Sequence, residues 1–208
     1  LKRAIDSEAT GNVTIDCADA SGNGSLLLKG CTDSFFANNL VVYTGGATVP
    51  LATGFGSTSS VGAVTASNSG CGYYNNLIRA EAEINKYVYD KDIASDTVFE
   101  GNHYYATVAP GNASPWTSST ASYATIALWN GDGDVGANVA EVEGVDPEIK
   151  DFDNGEYEVT ATAMIGVGYA HKVTLPFING YDGEPFPTSD IDVGAVQTTN
   201  GPFHPVNL

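Results

Sequence analysis

The feature that most constrains this chain is a short pattern that recurs. Phe35-Phe36-Ala37-Asn38-Asn39-Leu40-Val41-Val42, Tyr73-Tyr74-Asn75-Asn76-Leu77-Ile78 and Val98-Phe99-Glu100-Gly101-Asn102-His103-Tyr104-Tyr105 share one layout. Each has a β-prone, mostly aromatic pair, a tight polar corner ending in Asn, and then a second β-prone run. Asn39, Asn76 and Asn102 fall at the same place in the pattern. A strand that turns sharply into another strand needs a corner residue that tolerates left-handed backbone, and Asn and Gly tolerate it best. If successive units stack, the corner Asn residues stack too, and their amides hydrogen-bond along the pile. Self-similarity of this kind predicts a solenoid, an all-β chain whose uneven repeat intervals emerge as loops on one face. The competing reading is an antiparallel sandwich of hairpins. It would favour Asn-Gly two-residue turns, whereas the corners here are Asn-Asn or Gly-Asn.

The flanking stretches give weaker patterns. Leu1, Ala4, Ile5 and Ala9 lie at helical spacing with charges between them, which predicts a short helix capping the first unit. Val13-Thr14-Ile15-Asp16 and Ser25-Leu26-Leu27-Leu28-Lys29 read as strands. The Gly-, Ser-, Thr- and Ala-rich stretch from Gly45 to Gly70 reads as an insertion or a poorly patterned unit. The resulting organisation is one domain over 1–208, with a helical cap at 1–10, stacked units over 11–110, and C-terminal units plus a closing segment over 111–208.

In the second half, Val145-Asp146-Pro147-Glu148-Ile149, Asp153-Asn154-Gly155-Glu156-Tyr157-Glu158-Val159, Asp182-Gly183-Glu184-Pro185 and Asp190-Ile191-Asp192-Val193-Gly194-Ala195-Val196 occur in that order. This series resembles the closing segment of secreted right-handed parallel β-helix proteins of the pectin-lyase-like kind. The Tyr123, Ile126 and Trp129 stretch resembles the loop that precedes it. The resemblance covers roughly Asn102 to Gln197, and the Asn corners extend it back to Phe35. Two places depart from the pattern: Thr162–Gly168 replaces a proline-containing passage, and Gln197 stands where an acid is usual. The resemblance implies a right-handed parallel β-helix with a secreted or cell-surface setting and an association with polysaccharides. It implies no single activity, because a fold does not set a function.

Charge narrows the partners. With 8 Lys plus Arg against 25 Asp plus Glu, the formal net charge is −17. A surface this acidic repels phosphate backbones, which argues against nucleic acid, and it suits cation binding. No run of about 18 apolar residues is present, so no membrane span is expected. The chain opens at Leu1 without a leader, as a processed product or a piece of something longer would. Cys17, Cys31 and Cys71 fit no zinc spacing, and Cys17 with Cys31 flank one apolar run and are positioned to pair if they fall on adjacent turns. Sequons occur at Asn12, Asn23 and Asn112.

Three groups of residues carry candidate chemistry. Asn130, Asp132 and Asp134 alternate in a Gly-rich loop like the first half of a calcium loop, which predicts bound calcium. Val135 and Glu141 stand where a complete loop would carry Gly and Glu. Arg79, Glu81, Glu83 and Lys86 hold the residue types of a polysaccharide lyase, which needs a base to remove the proton next to a uronate carboxylate. The same run also reads as a strand with one solvated face. Asp90 with Asp92, and Asp190 with Asp192, put two carboxylates on one strand face, as a glycoside hydrolase would need. His103, His171 and His204 are scattered. Two functions therefore stand. The first is a non-catalytic extracellular scaffold, adhesive or filament-forming, whose partners are extracellular polysaccharide or copies of itself. The second is a lyase or hydrolase acting on an extracellular polysaccharide.

Overall fold

The computed structural model describes residues 1, 5, 7–17, 25–44, 53–58, 60–61, 64–65, 67–90, 97–118, 120–131, 138–139, 142–165 and 193–194. These residues are mostly β-sheet, with one four-residue α-helix, Ile126–Trp129, and two 3-10 turns. The chain visits three sheets in a fixed order, and each visit adds a strand to the growing edge. The first sheet holds Glu8–Thr10, Phe35–Ala37, Gly72–Tyr74, Val98–Glu100 and Asn138–Val139, and the second Val13–Ile15, Leu40–Tyr43, Leu77–Ala80, His103–Ala106 and Val142–Glu143. Both are parallel throughout. The third sheet holds Leu26–Lys29, Thr53–Thr58, Lys86–Asp90 and Trp116–Thr117 in parallel, then turns back through the antiparallel strand Ser122–Tyr123.

The register places like on like. Ala9, Phe36, Tyr73 and Phe99 occupy one position of the first sheet. The three aromatic rings face inward and stack, Phe36 on Tyr73 at 5.6 Å and Tyr73 on Phe99 at 5.1 Å. That spacing follows from neighbouring strands lying just under 5 Å apart. Trp129, on the short helix, closes the pile edge-on against Phe99 at 5.3 Å. Val41, Ile78 and Tyr104 from the second sheet, with Phe55, Val88 and Trp116 from the third, complete this core. Gly54 is required where those two sheets meet, because a Cβ there would fall 2.0 Å from Ile78 Cδ1 and 2.8 Å from the Tyr87 carbonyl oxygen.

The outward side of the second sheet is also buried. Leu40, Val42 and Leu77 pack against Val159, Ala161, Met164 and Val193 of the closing segment, with Ile149, Phe152 and Tyr157 at the margin. That segment is an antiparallel pair, Ile149–Asp151 with Glu156–Val159, turned by the left-handed Gly155 (φ 80°). Gly194 donates its N–H to the Asn75 carbonyl at 2.9 Å, which ties the segment to a corner of the sheet.

Two expectations need correction. The helix read over Leu1–Ala9 is not formed by its described residues: Ile5 makes a parallel bridge to Thr32, and Glu8–Thr10 is a strand paired with Phe35–Ala37. An isolated helix of that length is marginal. Pairing to a formed neighbour satisfies the same backbone groups while the small side chain of Ala9 turns toward the core; Ile5, which a helix would have buried, is 69% exposed. The Cys17–Cys31 pair is not made either, because Cys17 is exposed and Cys31 lies buried in the core, both as thiols. The stretch from Gly45 to Gly70 supplies a full strand of the third sheet, Thr53–Thr58, and a small hairpin, Ser60–Val61 with Val64–Thr65.

Candidate functional site

The corner between the first and second sheets carries a repeated row of hydrogen-bonded polar side chains. Gly11, Asn38, Asn75 and Gly101 take the left-handed backbone there (φ 63°, 51°, 52° and 65°), and an Asn follows each of them. The left-handed residue is thus the one before the repeated Asn, which frees the Asn side chain to point along the pile. Asn12 Nδ2 donates to Asn39 Oδ1 at 2.9 Å, Asn39 Nδ2 to Asn76 Oδ1 at 2.8 Å, and Asn76 Nδ2 to Asn102 Oδ1 at 2.9 Å. Each acceptor oxygen also takes the backbone N–H of the Asn before it, at 3.0 Å. The second amide hydrogen of Asn39, Asn76 and Asn102 goes to the carbonyl of Ala9, Phe36 and Tyr73. Asn39, Asn76 and Asn102 are fully buried, so the ladder replaces water for a row of groups that must be paired.

The basic-acidic run does not form one cluster. Arg79 lies on the second sheet in register with Val42 and Tyr105, and its guanidinium pairs with Glu81 at 2.8 Å. The Glu83 carboxylate lies over Gly111, whose backbone N–H donates to the Ile84 carbonyl at 2.8 Å. Lys86 belongs to the third sheet; its Nζ donates to Thr117 Oγ1 at 2.5 Å and sits 4.9 Å from the centre of the Tyr89 ring. Thr117 Oγ1 is in turn 3.3 Å from Ser122 Oγ. A cation, an aromatic ring and two hydroxyls therefore share the third sheet, a grouping the sequence reading missed because it joined Lys86 to Arg79 by proximity along the chain.

In the calcium candidate, Asn130 is the C-cap of the Ile126–Trp129 helix, its N–H donating to the Ile126 carbonyl at 2.8 Å. Asp132 and Asp134 lie outside the described residues, as do Asp92, Asp190, Asp192 and the side chain of Asp90. Among the described residues no three His, Cys, Asp or Glu side chains come together as metal ligands. No described helix is long and apolar enough to cross a membrane.

Burial displaces several titratable groups, among them His103 and Glu8. His103 is 4% exposed in the second sheet, and burial lowers its pKa to about 4. Glu8, half-buried on the first sheet, is raised to about 7, also by burial. For His103 the folded state resists a proton that the unfolded chain accepts near pH 6.5. Its contribution to stability is therefore constant above about pH 6.5 and falls as pH drops towards 4, by about 3 kcal/mol in total. Glu8 slopes the other way, with stability lost as pH rises from about 4.5 to 7. The His103 part is expected to appear as the difference between the native chain and His103→Gln in urea midpoints measured from pH 4 to 7. Parallel curves for the two proteins would show that His103 is not buried neutral.

No protein-family model, curated protein or solved structure matches this chain.

Proposed function

We propose that the chain is a right-handed parallel β-helix of the pectin-lyase-like kind, serving outside the cell as a non-catalytic scaffold that meets extracellular polysaccharide or copies of itself. The fixed order in which the chain revisits its three sheets supports the architecture. The observation that carries the functional reading is the separation of the candidate chemical groups. Arg79 is engaged by Glu81 on one sheet, and Lys86 by Thr117 and Tyr89 on another. The continuous polar investment of the chain is instead the Asn ladder, which stiffens a stack and performs no reaction. Calcium at Asn130, Asp132 and Asp134 belongs to the same reading, as a cation stabilising an acidic surface. Negative-stain electron microscopy with and without a calcium chelator tests it: ordered assemblies that fall apart on chelation are expected, and discrete monomers in both conditions would remove the assembling scaffold.

A polysaccharide lyase or hydrolase is the second reading, favoured by the Lys86, Tyr89, Thr117 and Ser122 grouping on the third sheet. A cation for a sugar carboxylate, a ring for a sugar face and hydroxyls for hydrogen bonds suit an acidic glycan. Release of unsaturated or reducing ends from polyuronates, abolished in Lys86→Ala, would establish it in place of the scaffold.

A further inference from the structure

We propose that Asn112 is a site of N-linked glycosylation and that Asn12, which carries the same sequence signal, is not. This rests on the extracellular reading above. Both residues begin Asn-x-Ser/Thr triplets, Asn12-Val13-Thr14 and Asn112-Ala113-Ser114, but their amides are in opposite states. Asn12 Nδ2 spends both hydrogens, one on the Thr10 carbonyl at 3.0 Å and one on Asn39 Oδ1 at 2.9 Å. A sugar on that nitrogen would leave a single N–H and remove the end of the ladder. At Asn112 only the oxygen is engaged: Oδ1 accepts the Ser114 backbone N–H at 2.9 Å, a local turn that holds the side chain. Its Nδ2 makes no hydrogen bond among the described residues, and Gly111 and Ala113 on either side are exposed. The loop is fixed from beneath by the Gly111 N–H to the Ile84 carbonyl, so the amide is presented from a defined position. Asn23 lies outside the described residues.

The donor is an oligosaccharide carried on a lipid pyrophosphate. Nδ2 attacks the anomeric carbon, the N–C1 bond forms as the C1–O bond to pyrophosphate breaks, lipid pyrophosphate departs, and the amide gives up one proton. A glycan here would stand one residue from Gly111, over which the Glu83 carboxylate lies, and would crowd the corner between the second and third sheets. Such crowding suits a scaffold whose corner is shielded better than an enzyme that must admit polymer there.

The test expresses the full chain behind a cleavable secretory leader in cells that N-glycosylate. Enzymatic deglycosylation in heavy-oxygen water then marks each occupied Asn as a heavy Asp in the peptide mass spectrum. The mark is expected at Asn112 and not at Asn12, and Asn112→Gln and Ser114→Ala should each abolish the glycan's gel shift while the chain is still secreted. A bare Asn112 in the secreted chain, or Asn12 marked as fully as Asn112, overturns the inference. Because the leader supplies secretion, fractionating the native cells tests location separately. A chain found only inside them overturns the extracellular reading, and with it modification in vivo, whatever the secreted chain shows.

Discussion

Replacing Asn76 by alanine is expected to cost about 3–5 kcal/mol of folding stability, the sum of several buried groups losing their partners at about 1–3 kcal/mol each. Asn76 Oδ1 holds the backbone N–H of Asn39 at 3.0 Å and its Nδ2 at 2.8 Å, while Asn76 Nδ2 serves Asn102 Oδ1 and the Phe36 carbonyl. All of these lie where water does not reach, since Asn39, Asn76 and Asn102 are fully buried. The Asn39 N–H is orphaned outright by the substitution. The same change at Asn12 should cost only about 1 kcal/mol, because Asn12 is exposed and water takes over its role. Urea unfolding midpoints of the two variants check the contrast. Equal losses at Asn12 and Asn76 would mean that the ladder acts through the corner backbone and not through its amides. Asn76→Asp sharpens the test: an ionised carboxylate would aim oxygen at Asn102 Oδ1 and the Phe36 carbonyl. That variant should be weak at neutral pH and recover on acidification, as the protonated form regains a donor.

How much of this was legible in the sequence depended on whether local and tertiary signals agreed. At Asn39, Asn76 and Asn102 they did, since a β-prone pair, a left-handed residue and an Asn are needed both by the corner and by the pile. Asn12 carries the same Glu8-Ala9-Thr10-Gly11-Asn12-Val13 layout as Val98–His103, but four apolar residues at helical spacing concealed it. Pairing with Phe35–Ala37 overrode that spacing. The strand Thr53–Thr58 was hidden for a different reason. Its Gly-rich sequence has no alternation to read, and Gly54 is demanded by Ile78 from another sheet, a contact no local pattern can announce. The Arg79 to Lys86 run is divided because a corner intervenes, so closeness along the chain became residence on two sheets. Burial of the outer face of the second sheet by Val159, Ala161 and Met164 was equally invisible, since both partners read as ordinary apolar strand residues until they meet.

The interior pile makes the second large prediction. Tyr73→Ala is expected to cost about 4–5 kcal/mol, the upper part of the range for deleting a buried aromatic ring. Tyr73 is the shared layer of the stack, with Phe36 at 5.6 Å, Phe99 at 5.1 Å and Phe55 at 5.0 Å, and a cavity there would strip contacts from three rings at once. Tyr73→Phe separates the ring from its hydroxyl. That hydroxyl accepts the Leu28 N–H at 3.1 Å and donates towards the carbonyls of Leu26 and Gly56, binding the first sheet to the third across the core. Its loss should cost about 1–3 kcal/mol, because those backbone groups face the interior. Thermal or urea unfolding of the two variants gives both terms. If Tyr73→Phe were neutral, the third sheet would be held by the rings alone, and the hydroxyl would be a passenger in the stack. If Tyr73→Phe were as damaging as Tyr73→Ala, the cross-core hydrogen bonds would be what keeps the three sheets in register, and the stacking of the rings would follow from that alignment instead of causing it.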